Sequence, residues 1–338
     1  MKTTLLSLCA LCALCACAPV AAPAAWAPGE TVTFYVPADP GGGLDTLAHA
    51  LSPLLTAEAG LRADVRNRPG GWRGQAAGTV EFTARFARRD DVLLVASTPL
   101  VMNHARVQSP GPEDLRPLAL LGEDYGLIAV SAASPYDSLD ELLAALKNDP
   151  AAVRFCGGGA AGAWVHLNAA LLARTAGADP AALPYTALAD TGAAVEELHC
   201  GAADALTADI ASLRPWLQTG ELRLLGVSAP ARLTEDAALR DTPTYREQGL
   251  DLVLSNWRGV FAGLKMSAAA QIYWENLLAE LCAAEEWRAA LAAEDIYPVY
   301  AGAADFAARL RAETALYEDV FRLLPEEQAP LISAAPGC

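Results

Sequence analysis

Two glycine runs constrain this chain more than any other feature. PADPGGGLD occupies residues 37–45 and FCGGGAAGAW residues 155–164, each between an apolar strand pattern and a helical one. Backbone that lacks Cβ atoms and leads from a strand's carboxyl end into a helix N-terminus bares its N–H groups at the positive end of the helix dipole, which favours an anion. In open parallel sheets ligands bind at that junction. A glycine run can equally be a plain tight turn, but two in matching positions point to binding. Neither run carries the GxGxxG spacing of a dinucleotide fold or the GK[ST] of a phosphate-binding loop.

The remaining sequence alternates strands with helices. Residues 31–38 read as a strand, 46–60 as a helix ending in glycine, 61–67 as a strand, 66–74 as a turn, 75–89 as a helix and 91–98 as a buried strand. Residues 115–132 are extended, with an expected interruption at 122–125 where the chain would cross between lobes. The pattern then restarts, with helices over 138–150, 164–177, 191–201 and 213–220 and strands over 152–159, 182–187, 202–208 and 221–231. Residues 255–264 read as a strand returning to the first lobe, ahead of helices over 268–293 and 303–324. Such alternation implies right-handed parallel units, and its repetition implies two doubly wound α/β lobes joined by crossing strands around a cleft. The expected first lobe is 30–125 with 256–338, and the second is 126–255.

A chain of 338 residues has room for two full cores. Its 40 acidic against 24 basic residues, a net charge of −16, exclude a nucleic-acid binder or a polybasic membrane-surface protein. The N-terminus has Lys2, an apolar run over 5–16 and then an Ala/Pro linker over 18–29. That pattern is an export signal over 1–17, shorter than the ~20 residues of a spanning helix. Its end, Leu14-Cys15-Ala16-Cys17, resembles a bacterial lipobox and would place a lipid on Cys17; the competing reading is cleavage among the alanines of 18–25, giving a free periplasmic protein. No later stretch is long and apolar enough to span a bilayer. Cys156, Cys200, Cys282 and Cys338 then remain, in a compartment that permits disulfides, and no CxxC pair suggests zinc. No cofactor or metal is expected.

The motifs VPADPGGGLDTLAHAL, VRNRPGGWRG, VASTPLVMN, GGGAAGAWVHLNAALLARTAGADPAALPYT, TGELRLLGVSAPARL and DTPTYREQGLDLVLSNWRGVFAG follow one another in order. Together they resemble the periplasmic solute receptors of the tripartite tricarboxylate transporters, also called Bug-type binding proteins. The resemblance runs over essentially the whole chain after the linker. It implies a hinge-closing periplasmic-binding-protein (Venus flytrap) fold that captures a small organic anion and passes it to the large and small membrane subunits of a transporter. It also implies that backbone N–H groups and ordered waters of the two loops hold the ligand carboxylate. On this chain those positions are Gly41, Gly42, Gly43 and Asp45, and Gly158, Gly159, Ala160, Ala161, Gly162 and Ala163. Ser97, Thr98 and Asn103 match positions facing the cleft, where hydroxyls donate to a carboxylate or cap the next helix. Relatives carry a pattern like GGSAGGTDH in the second loop, whereas Ala160, Trp164 and Val165 stand here in place of Ser, Thr and Asp. A smaller or more apolar carboxylate than citrate is therefore expected, packed on Trp164, unless that indole simply packs its helix onto the sheet.

Other groups have plainer readings. Asp45 and Asp209 can cap their helices, and Asp209 can also reach a ligand or a bridging water. Arg66, Arg68 and Arg73 surround a turn, His166 reads as a packing histidine, and Asn256, Trp257 and Arg258 read as hinge packing. Cys156 and His166 are the only reactive-looking pair, but their spacing makes contact doubtful, and no GxSxG or HExxH motif exists, so an enzyme is not expected. A receptor-fold lipoprotein acting as a sensor or adhesin shares every one of these residues with a transport receptor.

Overall fold

The computed structural model describes residues 26–325, apart from the side chains of Trp72 and Arg73. The export signal, the lipobox at Cys17 and Cys338 lie outside the described residues. Strands β1 (Thr31–Val36), β2 (Arg62–Asn67) and β3 (Val92–Ser97) alternate with helices α1 (Gly43–Ala59), α2 (Gly71–Phe86) and α3 (Pro99–Val107). After β4 (Leu115–Ser131) come α4 (Leu139–Asn148), β5 (Phe155–Gly158), α5 (Trp164–Thr175), β6 (Tyr185–Leu188), α6 (Thr191–His199), β7 (Ala205–Asp209), α7 (Ile210–Leu213) and β8 (Leu222–Val227). The chain finishes with β9 (Ser255–Gly263), α8 (Ala268–Ala283), α9 (Glu285–Ala293), β10 (Ala301–Gly302) and α10 (Ala303–Leu323).

The strands form two parallel cores stitched by antiparallel ones. β1 pairs in parallel with β2 and β3, and β5 pairs in parallel with β6 and β7. β9 runs antiparallel between β3 and β4. The crossing strand is not interrupted at 122–125. β4 pairs with β9 from Leu115 to Tyr125, then continues without a break between β7 and β8 from Gly126 to Ser131. Register shifts between Pro117 and Ala119 and between Leu120 and Gly122 absorb the twist instead. The helix expected over 213–220 reduces to α7 and a single 3-10 turn at Arg214–Trp216, because Pro215 cannot donate into a longer ladder. Helix α3 and strand β10 were not anticipated, being too short for a periodic signal.

Side-chain alternation explains why each sheet is covered on both faces. Val32, Phe34, Val36, Leu93 and Val95 face Leu47, Leu51, Trp274 and Trp287 of α1, α8 and α9. Tyr35, Val92, Leu94 and Ala96 face the opposite way, toward Phe82, Val101, Phe306 and Tyr317. In the second lobe Leu127, Ala129, Cys156 and Leu206 face α6, while Ile128, Val130 and Phe155 face α4 and α5. Strands buried on both sides read as continuous apolar runs, as the sequence does.

The midpoint of β4 carries a buried charge network. Arg309 of α10 pairs with Glu123, donates to Ser255 Oγ at 2.6 Å and meets Glu313 at 2.8 Å. The Trp257 indole donates to the second Glu313 oxygen at 2.7 Å, and Tyr125 donates to Glu123 at 2.7 Å. Burial raises the Glu313 pKa despite the arginine beside it. Replacing Arg309 with Met strands two carboxylates, at an expected cost of about 3 kcal/mol. Without the cation the Glu313 pKa rises further above its unfolded value, so the deficit shrinks as pH falls and that carboxyl protonates. Urea midpoints of R309M and the parent at neutral pH and at about pH 5 measure both effects.

Candidate functional site

The two glycine loops are built alike. Gly41 and Gly162 both adopt left-handed conformations, at φ 78° and 77°, which only glycine takes without strain. The next residues, Gly42 and Ala163, are N-caps with φ/ψ of −77°/163° and −73°/166°. Three residues further, the side chain at the third helical position turns back to the left-handed glycine. Gly41 N–H donates to Asp45 Oδ2 at 2.8 Å, and Gly162 N–H donates to His166 Nδ1 at 2.9 Å. A carboxylate braces one loop and an imidazole the other.

These bonds change what several residues can do. Asp45 also accepts from Asn67 Nδ2 at 2.9 Å, and the Gly41 amide above all holds its pKa below the usual carboxylate value. Asp45 therefore ties the elbow together from within the helix; it is neither the N-cap nor a plausible partner for an anion. Thr98 is fully buried and its hydroxyl is committed, donating to Ser255 O at 3.0 Å and accepting from Trp257 N at 3.0 Å. Its expected role as a donor to ligand is corrected accordingly: Thr98 pins β9 to the head of α3. Gly42 N–H donates to Asp39 O at 3.0 Å, Gly159 N–H to Gly157 O at 3.0 Å, and Ala163 N–H to Ala160 O at 2.9 Å, all within the loops. A Cβ on Gly158 would lie 2.3 Å from Thr191 N, so close approach of α6 dictates that glycine.

Arg258 was read from the sequence as hinge packing on a returning strand, and the structure sets it on β9 between β3 and β4. It lies opposite Ser97 on β3 and Gly122 on β4. A Cβ built on Gly43 would stand 3.8 Å from its Nη2, which puts the guanidinium at the head of α1. Nη1 donates to the carbonyls of Asn256 at 2.9 Å and Trp257 at 3.4 Å, while Nε makes no hydrogen bond among the described residues. Burial lowers the Arg258 pKa, and the Asp124 and Asp209 carboxylates oppose that shift. Asp209 is the N-cap of α7, accepting from Ser212 N at 2.7 Å. Asp124 accepts from Tyr125 N and Ile210 N, and burial, then repulsion from Asp209, push its pKa up to about 8. The signal for Arg258 was available in WRG: a cation on a strand otherwise apolar.

The second loop faces α3. Asn103 lines a cavity with Ala160, Ala161, Gly162, Ala163 and Trp164. Cys156 and His166 do not meet: the thiol donates to Ala194 O at 3.3 Å, burial pushes its pKa up to about 12, and His166 stacks on Tyr185 at 4.3 Å between ring centroids. Asp204 is taken by Arg154 at 2.8 Å, Arg66 pairs with Asp64, and Arg68 pairs with Glu81. Among the described residues Cys156, Cys200 and Cys282 are unpaired thiols.

A two-lobed α/β fold with a matched loop on each lobe is the architecture of an extracytoplasmic solute-binding protein. The chain belongs to the tripartite tricarboxylate transporter family receptors, whose family model matches residues 65–319. It is 31% identical to Protein BugT of Bordetella pertussis over 251 residues, 72% of this chain and 74% of that protein. A TctC solute binding protein from Polaromonas shares the fold at a TM-score of 0.78 and 24% identity, covering 88% of this chain and 99% of that one. Two Rhodopseudomonas palustris structures share it more distantly: one with adipate (TM-score 0.67, 20% identity, 88% and 97% coverage) and MatC with bound malate (0.64, 21%, 87% and 99%).

The imidazole brace titrates. Burial, then the charge of Arg106, lower the His166 pKa from 6.5 to about 4. Well above pH 6.5 neither folded nor unfolded histidine binds a proton, and the brace contributes fully. Between 6.5 and about 4 the unfolded chain takes up a proton that the folded chain refuses, so stability falls as pH falls through that window. Asn in this place offers a side-chain oxygen to Gly162 N–H without titrating. H166N is therefore expected to remove one proton's slope from the pH dependence of the urea midpoint over this window.

Proposed function

We propose that this protein is a receptor that captures a small organic carboxylate outside the cytoplasm, between its two lobes, and delivers it to the membrane subunits of a tripartite transporter. The observation that carries the reading is Arg258, whose guanidinium stands beside Gly43 at the amino end of α1. An arginine with donors turned toward a helix N-terminus offers a carboxylate two charge-assisted hydrogen bonds and the favourable end of a helix dipole together. Asp124 and Asp209 lie near enough to influence Arg258, but no ion pair within 4.0 Å joins them to it among the described residues. Malate and adipate in the related folds are the same chemical class. The site as proposed comprises Gly41, Gly42, Gly43, Ser97, Asn103 and Arg258 on one side and residues 158–164 with Asp209 on the other.

Capture follows from differential contact. The anion engages the first loop and Arg258, and rotation of the lobes about β4 and β9 brings the second loop onto it. Because each lobe's loop is braced internally by Asp45 or His166, the loops keep their shape while the lobes move. Ligand binding is expected in calorimetric titration with malate and adipate, and Arg258→Gln is expected to weaken it roughly 10- to 100-fold with little change in melting temperature. Unchanged affinity in R258Q would remove Arg258 from the site.

A further inference from the structure

Helix α3, the second glycine loop and α10 enclose a cavity of about 320 Å³. Pro99, Met102, Asn103 and Arg106 line it from α3 at the spacing of one helix face, and Trp164 and Phe321 close its sides. Ala160, Ala161, Gly162 and Ala163 of the second loop complete the lining. The walls are thus a thioether, a pyrrolidine ring, methyls and two aromatic rings, with Asn103 and Arg106 as the polar side chains. Trp164 is 6% exposed and shares a buried cluster with Tyr317 of α10, so the indole wall is packed in place. The Arg106 guanidinium lies 5.9 Å from the Phe321 ring centroid, the geometry of a cation held against an aromatic face.

The second loop is shared by this cavity and the carboxylate site proposed above. A ligand anchored at the loops therefore has an apolar space beside it. We propose that this cavity receives the body of the ligand and that the receptor selects an aromatic monocarboxylate. The inference rests on the reading of the cleft as a carboxylate site and adds the nature of the rest of the molecule. Three physical points support it. An apolar cavity of about 150 Å³ already holds benzene, so this one accommodates a ring with room for a substituent. Met102 and Trp164 offer the sulfur-aromatic and ring-edge contacts that favour an aromatic over a plain chain. A further carboxylate placed among these walls out of reach of Arg106 and Asn103 would lose its water and gain few hydrogen bonds, at a cost of several kcal/mol.

Calorimetric titration of the protein with benzoate, naphthoate, hexanoate, malate and citrate tests this, with two variants that alter the cavity in opposite directions. Benzoate is expected to bind about tenfold more tightly than malate or hexanoate, and citrate weakest. Met102→Trp fills the space and is expected to reduce the benzoate-to-malate affinity ratio about tenfold; Phe321→Ala enlarges it and is expected to raise naphthoate relative to benzoate. Thermal melts show whether each variant folds, and either variant alone suffices for the ratio. Malate or citrate binding as tightly as benzoate, hexanoate matching benzoate, or ratios unmoved in folded variants would overturn the aromatic assignment while leaving a carboxylate receptor standing. Binding of none of the acids would overturn the receptor reading, and this inference with it.

Discussion

The structure depends on one strand passing from one sheet into another. Over Leu115–Tyr125 β4 has β9 as its partner, and over Gly126–Ser131 it has β7 and β8, so both lobes share a backbone element. Its middle cannot be a loop, because the carboxylates there are buried: Glu123 is 3% and Asp124 2% exposed. Each must find donors in a low-dielectric setting, and each does so from a different part of the chain. Glu123 draws in Arg309 from α10, while Asp124 accepts backbone N–H groups from β4 itself and from α7. The acids that make the crossing costly also specify which elements gather around it.

Much of this architecture was legible in the sequence. Apolar runs such as DVLLVAS and the periodic helices gave the alternation, and glycine runs marked where strands feed helices. The unbroken course of β4 was hidden because Gly122, Glu123 and Asp124 look like turn residues. Their polarity reflects tertiary partners 86 to 186 residues away, which local pattern cannot register. The cation in WRG was visible on an otherwise apolar strand, but its place at the head of α1 was not, because its neighbour Gly43 lies 215 positions earlier. Thr98 erred in the other direction. A hydroxyl at a strand end is a fair donor for a ligand until the returning strand claims it from 157 residues on.

The paired loops show a structural repeat with almost no sequence repeat. Aligning Gly41 with Gly162 sets Asp45 against His166 and Gly43 against Trp164. Only the left-handed glycine is shared, since that dihedral is the one feature the turn cannot do without. The two helices then diverge in what they set at their first position: nothing in the first lobe, where Arg258 takes up the space, and an indole in the second. One end of the cleft is consequently polar and the other apolar.

Arg258 stands at the seam of a protein with a net charge of −16. An anion bound there as proposed would meet a field of its own sign at long range, with the attraction of a single recessed guanidinium felt only within about a Debye length of the opening. Encounter is thus uphill until the last few ångströms, and added salt, by screening the outer charge more than the recessed one, speeds arrival. On the proposed reading, the receptor would gain its hold on the anion from slow departure rather than from fast capture.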